Sequence, residues 1–105
     1  LQNVIIDQHF VKRKRHNRLM SVVLEHPKLV GMGIDESTAL IVNSDYTFEV
    51  VGSGSVIVYD ARNAIAIKSD DHGNLGGVNL RMSVLLDGDL YALKTGVVVP
   101  AKGQK

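Results

Sequence analysis

The sequence predicts an α/β fold that begins with one strand and one helix and ends in a run of antiparallel strands. Three observations predict this fold class. The β-branched run Val4–Ile6 is typical of a buried strand in a parallel sheet. An apolar pattern with helical spacing extends from residue 15 to residue 26. After Pro27, which ends the helix, apolar strands alternate with turns rich in Gly, Asn and Asp.

Composition limits the class of protein. The 105 residues are enough for one small domain, and 45% hydrophobic with 22% charged residues is typical of a globular chain. A net charge of +1 is far below that of a dedicated nucleic-acid-binding domain. The absence of cysteine excludes disulfides, thiol catalysis and thiolate zinc sites. No apolar run reaches the roughly 18 residues of a membrane-spanning helix. We therefore expect neither nucleic acid nor a membrane as a partner.

The first strand and the helix place basic residues at the end of a sheet. Val4–Ile6 is expected to be central in a parallel sheet, so that residues after Asp7 lie beyond its carboxyl end, where open α/β sheets bind ligands. In the helix, Leu19, Val22 and Val23 share one face. The basic residues occupy its first turn, where positive charge opposes the helix dipole. Guanidinium groups and backbone N–H groups at that position instead favour anion binding.

The rest of the chain predicts short strands. Thr38–Val42 and Thr47–Val51 are expected to pair as a hairpin across an Asn-Ser-Asp turn. Alternate glycines at 31 and 33 indicate a close backbone approach or a tight bend, before a polar corner at Asp35-Glu36-Ser37. The remaining predictions are a strand at 56–60, a strand at 64–67, a loop at 69–77, a strand at 78–86 that buries Val78, Leu80, Met82, Val84 and Leu86 on one face, a strand at 90–93, and a frayed tail from residue 95.

The basic run has three interpretations. Five Lys or Arg residues lie between Lys12 and Arg18, and they form a solvated surface, a nucleic-acid patch or an anion clamp. Nucleic-acid binding needs aromatic stacking platforms or a wide basic surface, and Phe10 is the aromatic residue nearby. A clamp would depend on Arg13, Arg15 and Arg18, because guanidinium groups bind carboxylates through two parallel hydrogen bonds.

His9 is either a structural histidine, as a lone histidine after a strand usually is, or a catalytic one, which its position at the carboxyl end of the strand favours. A catalytic histidine needs a carboxylate that fixes its tautomer, and the candidates are Asp7, Asp35 and Glu36. The sequence alone does not establish whether the corner at 35–36 lies at the same end of the sheet as His9 or at the opposite end. A hydrolase elbow requires Gly-x-Ser-x-Gly followed by a helix, and Gly52-Ser53-Gly54-Ser55 does not fit that pattern. We interpret that segment as a turn between strands.

Several segments together resemble the C-terminal part of cyanophycinase and its relatives. They are IIDQHF at 5–10, the three spaced arginines, GMGIDESTA at 31–39 and VVGSGSVIVYD at 50–60. These relatives are serine peptidases whose fold is akin to that of class I glutamine amidotransferases. The resemblance implies that 1–105 is the C-terminal portion of a single three-layer, flavodoxin-like α/β domain that ends in antiparallel strands. Residues 1–60 carry the family's motifs, and 61–105 form a divergent β-rich extension.

The resemblance also implies an activity, namely hydrolysis of β-aspartyl linkages that releases β-Asp-Arg dipeptides from cyanophycin. His9 is then the general base and Glu36 supports it. The nucleophilic serine lies in an elbow well upstream, in the N-terminal part of the same polypeptide. This agrees with a chain that starts at Leu1 without an initiator Met, for which we expect a longer polypeptide. The residues that would line the substrate pocket are Asp7, Gln8, Arg13, Arg15 and Arg18.

The resemblance implies a homodimer, and we expect no cofactor or metal. His72 beside Asp70 and Asp71 is interpreted as part of a solvated turn, because two carboxylates and one histidine in a flexible loop are a weak signal for a metal site. Lys14 stands where relatives often have glycine, which leaves the precise β-aspartyl substrate open. The alternative function is a non-catalytic relative or anion-binding module that uses the arginine cluster without chemistry. An upstream serine elbow would distinguish the enzyme from this module.

Overall fold

The computed structural model describes residues 3–8 and 13–101, with the backbone alone for 13–17. The described part contains one helix and ten strands. In chain order these are β1 (Val4–Gln8), α1 (Arg13–Glu25), β2 (Val30–Ile34), β3 (Thr38–Val42), β4 (Thr47–Gly52), β5 (Val56–Asp60), β6 (Ile65–Ser69), β7 (Leu75–Val78), β8 (Arg81–Leu85), β9 (Leu90–Ala92) and β10 (Val97–Val99).

The strands form two four-stranded sheets and a separate hairpin. Sheet A has the order β1-β2-β5-β8, and sheet B has the order β10-β9-β4-β3. β6 pairs with β7 as the hairpin. Within the described residues, β1 and β2 are parallel and every other pair is antiparallel.

The middle strands of sheet A, β2 and β5, are covered on both faces. On one face, Leu19 and Val23 of α1 pack against Tyr59. On the other face, apolar side chains of β2 and β5 meet Phe48 and Tyr91 of sheet B in the larger core cluster. Because strand side chains alternate between faces, consecutive residues of β1 and β5 belong to different layers.

Gly31 sets the distance between α1 and sheet A. A Cβ atom at this position would lie 2.6 Å from Val23 Cγ2 and 3.0 Å from Leu19 Cδ1. Both of those side chains are buried. The glycine that the sequence associates with a close backbone approach therefore lets the helix contact the strand directly.

Gly31→Ala is expected to lower the free energy of unfolding by about 1–3 kcal/mol, because the added methyl overpacks a closed interface. Gly76→Ala is the matched control, since a Cβ on Gly76 in β7 meets no atom within 4 Å. Urea denaturation of both variants checks the difference. Equal stabilities would show that α1 can move away from β2 without cost.

The structure confirms the mixed α/β class and most of the predicted elements. α1 begins two residues earlier than the apolar pattern predicts, and β3 and β4 form the expected hairpin. The strands at 56–60, 64–67 and 90–93 are present with small shifts in their bounds.

β1 is the end strand of sheet A in the described part of the chain, so the structure does not test the central position expected for it in the whole domain. Three other predictions are corrected. The loop predicted at 69–77 contains the start of β7, and the tail contains β10. The strand predicted at 78–86 is divided between the end of β7 and β8, and its predicted buried face is wrong except at Leu80, which is partly buried against the α1 cluster. α1 packs against β2, β5 and β7, and the outer strand β8 lies beyond it. Val78, Met82, Val84 and Leu86 are each about half exposed.

A buried ion pair joins β5 to sheet B. The Asp60 carboxylate accepts hydrogen bonds from Arg62 Nε at 3.0 Å and Arg62 Nη2 at 2.9 Å. Arg62 also donates to the Leu93 carbonyl oxygen and to the Tyr91 hydroxyl. Burial raises the pKa of Asp60, but the hydrogen bonds from Arg62 and the charges of Arg62 and Arg81 outweigh it and lower the pKa below 3.8. Asp60 is therefore ionised in the interior.

Candidate functional site

The parallel pair β1–β2 brings two polar segments to one edge of sheet A. Asp7 lies opposite Gly33, and Gln8 lies opposite Ile34. Both strands therefore end at the same edge. Asp35 and Glu36 follow β2 directly, so the corner lies at the carboxyl end of β1, which the sequence did not establish.

A cleft of about 320 Å³ opens at this edge. Gln8 contributes one wall, and Glu36 lies on the corner that forms another. The full set of lining residues is Ile6, Gln8, Ile34, Asp35, Glu36, Ser37, Thr38, Ala39, Leu40 and Val42. The cleft thus combines apolar side chains with two carboxylates, an amide and hydroxyl groups.

Asp7 and Arg18 form a second part of the site, on the helix side of sheet A. Arg18 Nη2 lies 3.8 Å from Asp7 Oδ2. The Asp7 side chain is largely buried, whereas the Arg18 side chain is 68% exposed. Both border a smaller cleft of about 190 Å³. Arg18 therefore retains donors that face solvent and are available to an anion.

The structure divides the predicted pocket residues between these two clefts. Asp7 and Gln8 are consecutive in β1, so their side chains project to opposite faces of the sheet. Asp7 lies with Arg18, and Gln8 lies with Glu36. His9 lies outside the described residues. Arg13 and Arg15 belong to the first turn of α1, and their side chains also lie outside the described part.

The three candidate carboxylates have different surroundings. Asp7 contacts Arg18, as described above. Asp35 Oδ2 accepts hydrogen bonds from the backbone N–H of Ser55 at 3.1 Å and from its hydroxyl at 2.9 Å. Glu36 is exposed, and among the described residues no hydrogen bond or ion pair involves its carboxylate. The geometry therefore favours Glu36 as the carboxylate available to a histidine.

Sequence reasoning missed the contribution of Thr38 to the site. Thr38 was assigned only to a strand, yet it lines the larger cleft and its hydroxyl donates to the Glu36 carbonyl oxygen at 3.2 Å. The sequence feature that could have identified Thr38 is its position directly after the polar corner Asp35-Glu36-Ser37. Among the described residues, no group of three metal-binding side chains comes together. No helix in that part has both the length and the apolar character needed to cross a membrane.

Curated cyanophycinases match this chain over nearly all of its length. Those of Synechococcus elongatus and Thermosynechococcus vestitus are 41% identical over 98 residues, which is 90% of the chain and 30% of each relative. The chain is a homologue of the C-terminal part of the cyanophycinases. The cyanophycinase of Trichormus variabilis is 38% identical over 104 residues, which is 96% of the chain and 35% of that relative. No protein-family model matches the chain.

The chain spans about a third of the length of the cyanophycinases that it matches. These alignments cover more of the chain than its first 60 residues, so the similarity reaches past Asp60. The segments that surround both clefts therefore lie within, or next to, a region that the cyanophycinases share.

Proposed function

We propose that this chain is the C-terminal part of a serine-type hydrolase of β-aspartyl linkages that releases β-Asp-Arg dipeptides from cyanophycin. In this proposal His9 is the general base and Glu36 supports it. The nucleophilic serine comes from the N-terminal part of the same polypeptide, and the full-length protein is a homodimer. The predicted pocket residues, namely Asp7, Gln8, Arg13, Arg15 and Arg18, bind the substrate.

The parallel register of β1 and β2 is the observation that carries this proposal. It places the end of β1, directly before His9, at the same sheet edge as the corner that carries Glu36. A general base and its supporting carboxylate must share such an edge to exchange a hydrogen bond. The homology to cyanophycinases supports the reaction class.

The proposed mechanism assigns one role to each group. His9 accepts the proton of the upstream serine as that serine attacks the carbonyl carbon of the scissile bond, and it returns the proton to the leaving amine as an acyl-enzyme forms. His9 then activates a water molecule that hydrolyses the acyl-enzyme and frees the serine. Glu36 orients the imidazole and stabilises its charged form. A β-linked aspartyl chain has a free α-carboxylate, which ordinary α-peptides lack at that position. Arginine donors near His9 would bind this carboxylate and select the β-linkage.

The fold of the whole domain is part of the same proposal. β1 ends sheet A in the described residues, although its β-branched sequence is typical of a strand with neighbours on both sides. We propose that the N-terminal part adds parallel strands beside β1. This would complete a three-layer, flavodoxin-like domain and would bring the serine elbow to the carboxyl end of β1.

Arg18→Ala in the full-length protein is expected to raise KM for cyanophycin about tenfold with little change in kcat, because a charged hydrogen bond contributes roughly 1.5–3 kcal/mol. Steady-state kinetics check this result. Lys28→Ala is the control, since Lys28 is also an exposed cation but lies beyond the opposite end of α1. An unchanged KM in the Arg18 variant would argue against the clamp.

The alternative of an anion-binding module is tested with the wild-type full-length protein. Release of β-Asp-Arg dipeptides from cyanophycin supports the enzyme. Binding of cyanophycin without any dipeptide release supports the module and would overturn the proposed function.

A further inference from the structure

The turn Gly52–Ser55 packs onto the corner that carries Glu36. The backbone N–H of Asp35 donates to the Ser55 carbonyl oxygen at 3.1 Å, and the N–H of Ser53 donates to the Ser37 carbonyl oxygen at 3.1 Å. The two hydrogen bonds from Ser55 to the Asp35 carboxylate add to these contacts. The turn that sequence analysis interpreted as a simple connection therefore holds the corner from both sides of Glu36.

Thr38 connects the turn at 52–55 to the corner that carries Glu36. Its hydroxyl accepts a hydrogen bond from the Gly54 N–H at 2.9 Å and donates to the carbonyl oxygen of Glu36 itself. Ser37, the next residue after Glu36, has a φ of +58°, a left-handed conformation that disfavours most side chains. These contacts hold the backbone on both sides of Glu36 in a conformation that the free chain would rarely adopt.

The two glycines of the turn make the contact possible. A Cβ on Gly52 would lie 2.2 Å from the Ser37 carbonyl oxygen, and Gly52 has a φ of +131°. A Cβ on Gly54 would lie 2.6 Å from Thr38 Oγ1 and 2.7 Å from Asp35 Cβ. Side chains at either position would push the turn away from the corner. The Gly-Ser-Gly-Ser sequence thus fits the corner through its backbone and through the hydroxyl group of Ser55.

We propose that Ser55, Asp35 and Thr38 are positioning residues that fix Glu36 for catalysis. The inference rests on the proposed function, in which Glu36 supports His9. Displacement of a catalytic group by about 1 Å can cost a factor of 100 in rate, so a corner with several defined hydrogen bonds serves this role. Asp35 acts here through Ser55 and not as the partner of the histidine.

The Ser55→Ala variant of the full-length protein tests this proposal. It removes the hydroxyl donor to Asp35 and leaves the backbone contacts in place. We expect kcat to fall about 10- to 100-fold while KM for cyanophycin changes less than about threefold. Ser55→Thr retains the hydroxyl and is expected to restore most of kcat. Ser53→Ala is the matched control in the same turn, since Ser53 contacts the corner through its backbone and its side chain is exposed.

A double-mutant cycle with Glu36→Gln separates positioning from a general structural role. If Ser55 acts through Glu36, Ser55→Ala causes little further loss of kcat in the Glu36→Gln background. An equal loss in both backgrounds would show a structural role and would overturn the proposal. So would a wild-type kcat in Ser55→Ala. If the wild-type protein itself does not hydrolyse cyanophycin, the proposed function fails. An active wild type with an insensitive Ser55→Ala rejects the positioning role alone.

Discussion

His9→Ala in the full-length protein is expected to lower kcat for cyanophycin hydrolysis by about 10⁴- to 10⁶-fold. Members of a serine–histidine–carboxylate triad act as a unit, so removal of the base abolishes nearly all of their joint contribution. His9 follows Gln8, which lies in the cleft with Glu36 at the carboxyl end of the parallel pair. Single-turnover release of β-Asp-Arg measures the chemical step directly.

The control for this variant is His72→Ala. His72 is an exposed histidine in the turn between β6 and β7. Its removal is expected to leave kcat and KM unchanged. Near-normal turnover in His9→Ala would show that another group is the base. A loss of similar size in both histidine variants would indicate damage to the fold rather than to the chemistry.

Local patterns predicted those elements whose structure depends on neighbouring residues. The helix followed from apolar spacing before Pro27, and the β3–β4 hairpin followed from alternation around a turn. Gly31 predicted a close approach, because a residue without Cβ allows two backbones to meet. The helix and the hairpin depend on interactions within one segment, and the close approach at Gly31 depends on a single residue type. The sequence shows both directly.

The site depended on contacts that sequence patterns do not encode. The position of Glu36 relative to Gln8 follows from the parallel pairing of β1 with β2. The β-branched run at 4–6 predicted a parallel strand but did not identify its partner strand. The alternation at 78–86 predicted which side chains share a face, but not whether that face is covered. Met82 and Val84 are exposed because α1 stops short of β8. Tertiary packing, and not the periodicity of the sequence, thus determines whether these side chains are buried.

The ion pair Asp60–Arg62 could not be predicted from the sequence either, because no local pattern indicates that Asp60 is buried. The other hydrogen-bond partners of Arg62, namely Tyr91 and Leu93, come from a segment about thirty residues later. Arg62→Ala is expected to lower the free energy of unfolding at pH 7 by about 3–5 kcal/mol, because it leaves a buried carboxylate without its partner. Lys68→Ala, which removes an exposed cation from β6, is expected to have an effect below about 0.5 kcal/mol.

The pH dependence identifies the charge on Asp60 as the cause. Because the pKa of Asp60 is lower in the folded protein than its ordinary value of 3.8, its ionised form contributes stability above that pH. This contribution is lost as the pH falls through the lower, folded pKa. Once Asp60 is protonated, Arg62 has little charge to balance, so the stability gap between wild type and Arg62→Ala should narrow below about pH 4. Urea denaturation at a series of pH values from about 7 to 2 measures the gap across the range in which Asp60 becomes protonated. A constant gap would assign the loss to packing of the Arg62 side chain. Combining Asp60→Asn with Arg62→Ala should then recover part of the stability at pH 7 only if the unpaired charge is responsible.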